Sequence, residues 1–172
     1  MGKTGNSIGE KPMNNKEQIL AERERKPAKR VDVVSVKLVK EKSFLYKQRT
    51  VSSPQSAYEL VKEILENEDR EKLVACFLNV KNQPVALHVV SIGTINSSFV
   101  HPREIFKVAV LSNAASIILF HNHPSGDPTP SQEDFNATER IRDCGKLMGI
   151  ELLDHVIVGD GKYYSTKENG RI

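Results

Sequence analysis

Residues 115–134 read ASIILFHNHPSGDPTPSQED, an apolar run that ends in two histidines and continues into a loop rich in proline. The run at 115–120 is apolar and β-branched, which predicts a buried strand. Because side chains two residues apart in a strand point to the same face, His121 and His123 would project side by side at the rim of a sheet. We therefore expect two imidazoles to stand next to each other where this strand ends.

A helix is expected to follow the loop. Proline and glycine between residues 124 and 130 break regular structure, and a helix then opens at Ser131. Its apolar face would carry Ala137, Ile141, Cys144 and Met148. Asp134 lies in the first helical turn, from which its carboxylate can face back toward His121 and His123. Two imidazoles and one carboxylate form a catalytic zinc set, because three protein ligands leave a coordination position for water.

Each half of this pattern also has a purely structural interpretation. A His-x-His pair is often no more than two polar residues at a strand end. The spacing of Ser131 and Asp134 is that of a capping box, in which each side chain satisfies a free backbone amide at the helix start. The two halves together, joined by a loop that turns the chain back, favour a zinc site formed by His121, His123 and Asp134.

The order His-x-His, seven residues, Ser-x-x-Asp resembles the signature of the JAMM (MPN-domain) metalloproteases. Its four positions fall on His121, His123, Ser131 and Asp134. The surrounding words resemble the RadC branch of that superfamily: GTIN at 93–96, VHPRE at 100–104, NAA at 113–115 and LDHVIVG at 153–159. The resemblance extends over about residues 50–170.

This resemblance implies the JAMM fold, an α/β (α+β) sandwich with a curved mixed sheet flanked by helices and a layout similar to that of cytidine deaminases. It also implies Zn2+ as the cofactor. For Ser131 it implies a hydrogen bond to the oxyanion or to the metal's water, a contact of the kind that lowers the energy of a transition state. The structural alternative for Ser131 is an N-cap, and both roles could hold through different lone pairs.

The resemblance further implies a glutamate general base, well upstream of the histidines and near the start of the first core strand. Glu71 falls there, because it lies just before the apolar run at 73–78. Such a base would accept the proton of the attacking water and pass it to the leaving amine. Glu68, Asp69 and Glu104 are alternatives, and Glu71 could instead be a solvated acid of a charged linker.

The composition suits a soluble globular protein. The chain has 172 residues, of which 38% are hydrophobic and 27% charged, and we place one domain at 31–172. No apolar run approaches the roughly 20 residues needed to span a bilayer, and the polar N-terminus lacks a signal-peptide pattern. Cys76 and Cys144 lie far apart within apolar patterns, which indicates reduced core thiols. We therefore expect no membrane partner and a cytoplasmic protein.

Residues 1–30 form a basic arm. They hold eight Lys or Arg against four Glu, whereas the whole chain carries a net charge of only +3. Such an arm could make weak contact with nucleic acid. The alternative is a solvated, flexible terminus without a partner. The sequence leaves the oligomeric state open.

Hydrophobic periodicity divides the rest of the chain into short elements. Predicted strands lie at 31–40, 72–80, 85–92, 151–159 and 163–165. Predicted helices lie at 15–26, 53–67 and 102–112, in addition to the one that opens at Ser131 and ends near Gly149. Asp154 and His155 interrupt an apolar strand, which is costly unless both are paired. They could orient a ligand imidazole or form a structural pair.

The leading hypothesis is a zinc-dependent metallopeptidase of the JAMM type, which hydrolyses a peptide or isopeptide bond in a peptide or protein substrate through a zinc-activated water. The alternative is a DNA-repair-associated, nucleic-acid-binding accessory protein that uses the JAMM fold as a scaffold. A third hypothesis, a metal-free pseudoenzyme, is disfavoured because all four signature residues are present.

Overall fold

The computed structural model describes residues 13–24, 29–93 and 100–172. The chain divides between Val36 and Lys37 into two units, and each is described by itself. In the first unit, helix α1 spans Asn15–Glu24. The helix predicted at 15–26 is confirmed to that point. Its last two residues lie outside the described ranges, as do residues 1–12 of the arm and most of the GTIN motif.

The second unit contains a five-stranded sheet and three helices. The strands are β1 (Lys72–Leu78), β2 (Pro84–Ile92), β3 (Ser116–Asn122), β4 (Glu151–Val158) and β5 (Tyr163–Ser165). The helices are α2 (Pro54–Leu65), α3 (Pro102–Leu111) and α4 (Gln132–Met148). The strand order is β2-β1-β3-β4-β5, with β3 and β4 parallel and the other neighbours antiparallel. The predicted α/β fold, a mixed sheet flanked by helices, is confirmed.

Helices cover both faces of this sheet. Because successive side chains in a strand point to opposite faces, the even-numbered residues of β1 from Val74 to Leu78 pack against α2. The odd-numbered residues from Leu73 to Phe77 pack against α3 and against Ile141 of α4. Strand β3 lies at the centre of the sheet, and all seven of its residues are buried. The polar residues at its end, His121 and Asn122, are therefore buried.

The structure confirms the prediction of free cysteines and corrects the apolar face predicted for α4. Cys76 and Cys144 are free thiols, as predicted, and burial raises the pKa of Cys76 to about 12. Met148, predicted on the apolar face of α4, is instead 50% exposed. It is the last residue of the helix, and the chain turns away at Gly149 through a left-handed conformation with φ of 67°.

The strand predicted at 31–40 is wrong. Residues 29–46 contain neither helix nor strand, and their valines are exposed, with Val31 at 83% and Val33 fully exposed. A β-branched, alternating sequence favours extended backbone, but a strand exists only where a neighbouring strand takes up its hydrogen bonds. Within the described residues, the sheet has five strands and this stretch supplies none of them.

None of the helices in the described residues is both long and apolar enough to cross a bilayer.

Candidate metal centre

The end of β3 delivers the two histidines to one face of the sheet. His121 is opposite Leu73 of β1 in the antiparallel ladder, so its side chain lies on the face covered by α3 and α4. It is completely buried, whereas His123, two residues further along, is half-buried. His123 continues the strand through its backbone, since its N–H donates to the carbonyl of Val158 at 2.9 Å.

The start of α4 delivers the carboxylate. Ser131 is the N-cap, and its hydroxyl accepts a hydrogen bond from the N–H of Asp134 at 3.2 Å. The backbone N–H and the hydroxyl of Ser131 both donate to Asp134 Oδ2, at 2.8 and 2.7 Å. The predicted capping box is therefore present. It fixes the rotation of the Asp134 carboxylate, which leaves Oδ1 directed at His121.

The three side chains converge on one point. The two Nε2 atoms of His121 and His123 are 2.8 Å apart. Asp134 Oδ1 lies 3.3 Å from His121 Nε2, and Asp134 Oδ2 lies 3.6 Å from His123 Nε2. One ligand atom from each residue lies within 4.8 Å of the other two. The capping box and the convergence thus coexist, and the two sequence interpretations of this stretch are compatible.

The electrostatics of the cluster favour a bound positive charge. Burial lowers the pKa of His121 well below its usual value, and the neighbouring His155 acts in the same direction. The hydrogen bond to Asp134 raises the pKa of His123. Burial alone would raise the pKa of Asp134, but hydrogen bonds from His123 and Ser131 hold it below its usual value. Asp134 is therefore a carboxylate that faces two basic nitrogens.

The loop after β3 holds the second nitrogen of His123. His123 Nδ1 lies 2.8 Å from the backbone carbonyl of Asp127. A carbonyl can only accept, so Nδ1 carries a proton and donates it. The side chain of Asp127 in turn accepts from the N–H and the hydroxyl of Thr129, at 3.0 and 2.7 Å. The proline-rich loop therefore orients a histidine as well as reversing the chain.

A third buried histidine lies behind His121. Strand β4 has an irregularity at its third residue, because Ile117 is opposite Leu152 while Ile118 is opposite Asp154. This bulge inserts one extra residue and reverses the alternation, so His155 projects to the same face as Leu152 and His121. Its Nε2 lies 2.8 Å from His121 Nδ1.

Asp154 projects to the other face and is part of a structural network. Its two carboxylate oxygens accept bonds from the hydroxyls of Ser165 and Thr166, at 2.6 and 3.1 Å, and from the N–H of Lys167 at 3.0 Å. The hydroxyl of Thr166 also accepts from the N–H of His155 at 3.0 Å. Asp154 therefore fixes the turn that holds the backbone of His155.

Glu71, the predicted general base, lies just outside the start of β1. Lys72 donates its N–H to the side chain of Asn122 at 2.8 Å, and Leu73 is opposite His121. Extending this register places Glu71 opposite His123 and on the same face as Leu73. The negative charge of Glu71 is also among the influences that raise the pKa of His123, after those of Asp134 and Asp127.

Two of the three alternative acids, Glu68 and Glu104, have ion-pair partners. Glu68 forms an ion pair with Lys72, the first residue of β1. Glu104 lies in the first turn of α3, where Lys107 at 2.7 Å and Arg103 at 3.3 Å contact its carboxylate. The hydrogen bond from Lys107 lowers the pKa of Glu104. Neither acid lies at a position where the strand register approaches His123.

The match to known proteins agrees with this geometry. Residues 51–171 match the RadC-like JAB domain family. The chain belongs to this family. A UPF0758 protein of Methanosarcina mazei is 49% identical over 123 residues, which cover 72% of this chain and 54% of the relative. UPF0758 proteins of Desulforamulus reducens and Clostridium botulinum are 53% and 55% identical over 122 residues, covering 71% of this chain and 54% of each relative.

This RadC-like JAB chain spans about half the length of the curated relatives it matches. The name UPF0758 states no reaction. The family match therefore supports the fold and the membership of the RadC-like family.

The site of the RadC-like JAB domain fits a divalent metal. Two ring nitrogens only 2.8 Å apart need either a hydrogen atom or a metal ion between or beside them, because two facing lone pairs would repel. Two imidazoles and a carboxylate match the ligand preferences of zinc, whereas calcium and magnesium prefer sets made only of oxygen. His121, His123 and Asp134 could therefore hold a metal without rearrangement of the strand or the helix.

Proposed function

We propose that this chain is a zinc-dependent metallopeptidase of the JAMM type that hydrolyses a peptide or isopeptide bond. The observation that carries the proposal is the convergence of His121, His123 and Asp134 within 4.8 Å of one another. A zinc ion held by these residues would lower the pKa of a coordinated water and polarise the scissile carbonyl. Three protein ligands leave room for that chemistry, which is the arrangement of a catalytic rather than a structural site.

Glu71 is the general base of the proposal. Extending the β1–β3 register by two residues beyond Leu73 would place Glu71 opposite His123, which supports a base beside the ligand cluster. It would accept the proton of the attacking water and deliver that proton to the leaving amine. General-base groups of this kind typically contribute 10²–10⁴-fold to the rate.

Ser131 supports the ligand and can also reach the reaction. Its backbone N–H and its hydroxyl donate to the same oxygen of Asp134. Because the backbone N–H would keep one of the two bonds to Asp134 Oδ2, the hydroxyl could turn toward an oxyanion while the carboxylate is still held, although more weakly. This arrangement supports the predicted donor role beside the capping role.

Hydrolysis of defined substrates tests this proposal. The zinc-loaded protein would be assayed with a fluorogenic peptide library and a matched series joined through a lysine ε-amino group. We expect cleavage in at least one series, and we expect Glu71→Gln to lower kcat by at least 10²-fold. Glu104→Gln is the control, since its carboxylate already pairs with Lys107, and it should retain the activity of the unchanged protein.

Three results would contradict the proposal in different ways. Equal activity of Glu71→Gln and the unchanged protein would remove Glu71 from the role of base. Loss of activity in Glu104→Gln instead would assign that role to Glu104. Absence of cleavage in both series by the zinc-loaded protein would contradict the proposed peptidase activity.

A further inference from the structure

A continuous chain of hydrogen bonds connects Asp134 to His121 through the interior of the protein. Thr138 Oγ1 lies 2.6 Å from the backbone carbonyl of Asp134 and 2.6 Å from His155 Nδ1. His155 Nε2 lies 2.8 Å from His121 Nδ1. Thr138 and His155 are 2% and 1% exposed, so bulk water cannot replace these contacts. These hydrogen bonds connect α4, β4 and β3 behind the candidate metal centre.

The chemistry of the groups fixes the direction of each bond. The carbonyl of Asp134 can only accept, so the single proton of the Thr138 hydroxyl points to it. That hydroxyl must then accept from His155, which places a proton on His155 Nδ1. The His155 ring is 1% exposed, and its two nitrogens contact Thr138 and His121, neither of which is an anion, so a second ring proton would bury a charge without a counterion. Its Nε2 therefore has a lone pair and accepts from His121 Nδ1.

We propose that Thr138 and His155 are positioning residues, which hold His121 in the tautomer whose Nε2 lone pair faces His123 and Asp134. His121 must carry its proton on Nδ1, because that nitrogen donates to His155. Its Nε2 is then unprotonated and ready to bind a metal. This inference rests on the proposed metal centre for its purpose, but the tautomer follows from the hydrogen bonds alone.

The β4 bulge is what makes this arrangement possible. In a regular strand Leu152 and His155 would point to opposite faces, since they are three residues apart. The extra residue brings both to the face of His121. The backbone of His155 is held by two bonds to Thr166. Its N–H donates to the Thr166 hydroxyl at 3.0 Å, and its carbonyl accepts from the Thr166 N–H at 3.1 Å. The position of His155 in this series of hydrogen bonds is therefore set by the backbone of the sheet as well as by side-chain packing.

Loss of the Thr138 hydroxyl should reverse the direction of the hydrogen bond between His155 and His121. In Thr138→Val, His155 Nδ1 loses its acceptor, so the ring gains by moving its proton to Nε2 and donating to His121 Nδ1. His121 would then carry its own proton on Nε2, where it blocks the metal. Thr138→Ser keeps the hydroxyl and should restore the original direction. Partners of this kind typically change metal affinity by about 10–100-fold.

The test is a ¹H–¹⁵N correlation spectrum of the imidazoles in metal-free protein, at a pH where His121 and His155 are neutral. The chain has only five histidines, so each ring can be assigned by substitution. We expect Nδ1 of both His121 and His155 to be protonated and both Nε2 atoms to be unprotonated. His101 is the internal contrast, because its Nδ1 accepts from the N–H of Arg103 at 3.3 Å and should be unprotonated.

A proton on His121 Nε2 in the unchanged protein would overturn the inference. So would unchanged tautomers and unchanged zinc affinity in a folded Thr138→Val, as measured by competition with a chromophoric chelator. If Thr138→Val does not fold, the spectrum of the unchanged protein decides. The expected tautomers in a protein that binds no zinc or cleaves no substrate would leave this inference standing and contradict the proposed function instead.

Discussion

At position 131 one hydroxyl group caps a helix and orients the Asp134 carboxylate of the candidate metal centre. Ser53 provides a natural comparison, because it caps α2 with the same reciprocal pair of bonds to Ser56, at 3.1 and 2.9 Å, away from the ligand set. Both caps should contribute similarly to folding. Only the one at Ser131 also fixes a carboxylate that faces two histidines.

We predict that Ser131→Ala and Ser53→Ala each lower the free energy of unfolding by about 1 kcal/mol, because each removes an N-cap. Urea denaturation would measure this loss. Only Ser131→Ala should also weaken zinc binding, since Asp134 Oδ2 then loses the bond from the hydroxyl. Equal zinc affinity in the two variants would show that the cap is purely structural.

The ligand residues could be predicted from the sequence because their geometry is local. A strand places His121 and His123 on one face, and a helix start places Asp134 near its cap. Of the partners behind them, His155 could be named from the sequence as a residue able to orient an imidazole, but its contact with Thr138 could not be predicted. Thr138 and His155 meet only through the contact of α4 with β4, and the bulge that turns His155 inward has no signal in the apolar run of β4.

At the scale of elements, the end of β4 controls the loop that orients His123. A Cβ on Gly159 would collide with the carbonyl oxygen of Gly126 and lie 2.8 Å from Pro128 Cδ. The same loop carries the Asp127 carbonyl that accepts from His123. The close approach of two backbone segments therefore connects the strand to the ligand.

We predict that Gly159→Ala both destabilises the fold, by about 1–3 kcal/mol, and weakens zinc binding, because the loop must move to admit the methyl group. Gly145→Ala is the control. Its Cβ would strike the carbonyl oxygen of Ile150, but it lies 11 residues beyond Asp134 in α4, or about 16 Å along the helix.

Thermal or urea unfolding would measure stability in both glycine variants, and a chelator competition would measure zinc. Gly145→Ala should lose stability and keep its zinc affinity. Should Gly159→Ala bind zinc as tightly as Gly145→Ala, the loop does not control the orientation of His123.

Most elements of the second unit could be predicted, because their apolar patterns are long and are bounded by proline, glycine or capping residues. The stretch 31–40 shows the limit of such patterns. Its alternation describes a chain that is able to pair, but a partner strand is a property of the tertiary structure. The order β2-β1-β3-β4-β5 has the same origin. It was not predicted, because the neighbours of a strand are also set by the tertiary structure.

At the scale of the whole molecule, the basic charge is concentrated in the arm. Residues 1–30 carry eight basic against four acidic side chains, while the chain as a whole has a net charge of +3. Such a distribution would attract a polyanion to the arm and not to the domain. The alternative function as a nucleic-acid-binding accessory protein depends on this feature.

We predict that any affinity for duplex DNA belongs to the arm and falls steeply with salt, since it depends on the release of counterions. Fluorescence anisotropy at several salt concentrations would compare the full chain with residues 31–172. The shorter chain should bind more weakly at every concentration. Unchanged binding would place the nucleic-acid contact in the domain, and absence of binding by the full chain would remove the alternative function.

Zinc stoichiometry tests the central claim most directly. Protein purified without added metal would be titrated with zinc against a chromophoric chelator, beside His123→Ala and Glu71→Gln. We predict one zinc per chain for the unchanged protein and for Glu71→Gln, because Glu71 is not a ligand, and a large loss for His123→Ala. An unchanged protein that binds no more zinc than His123→Ala would contradict the account.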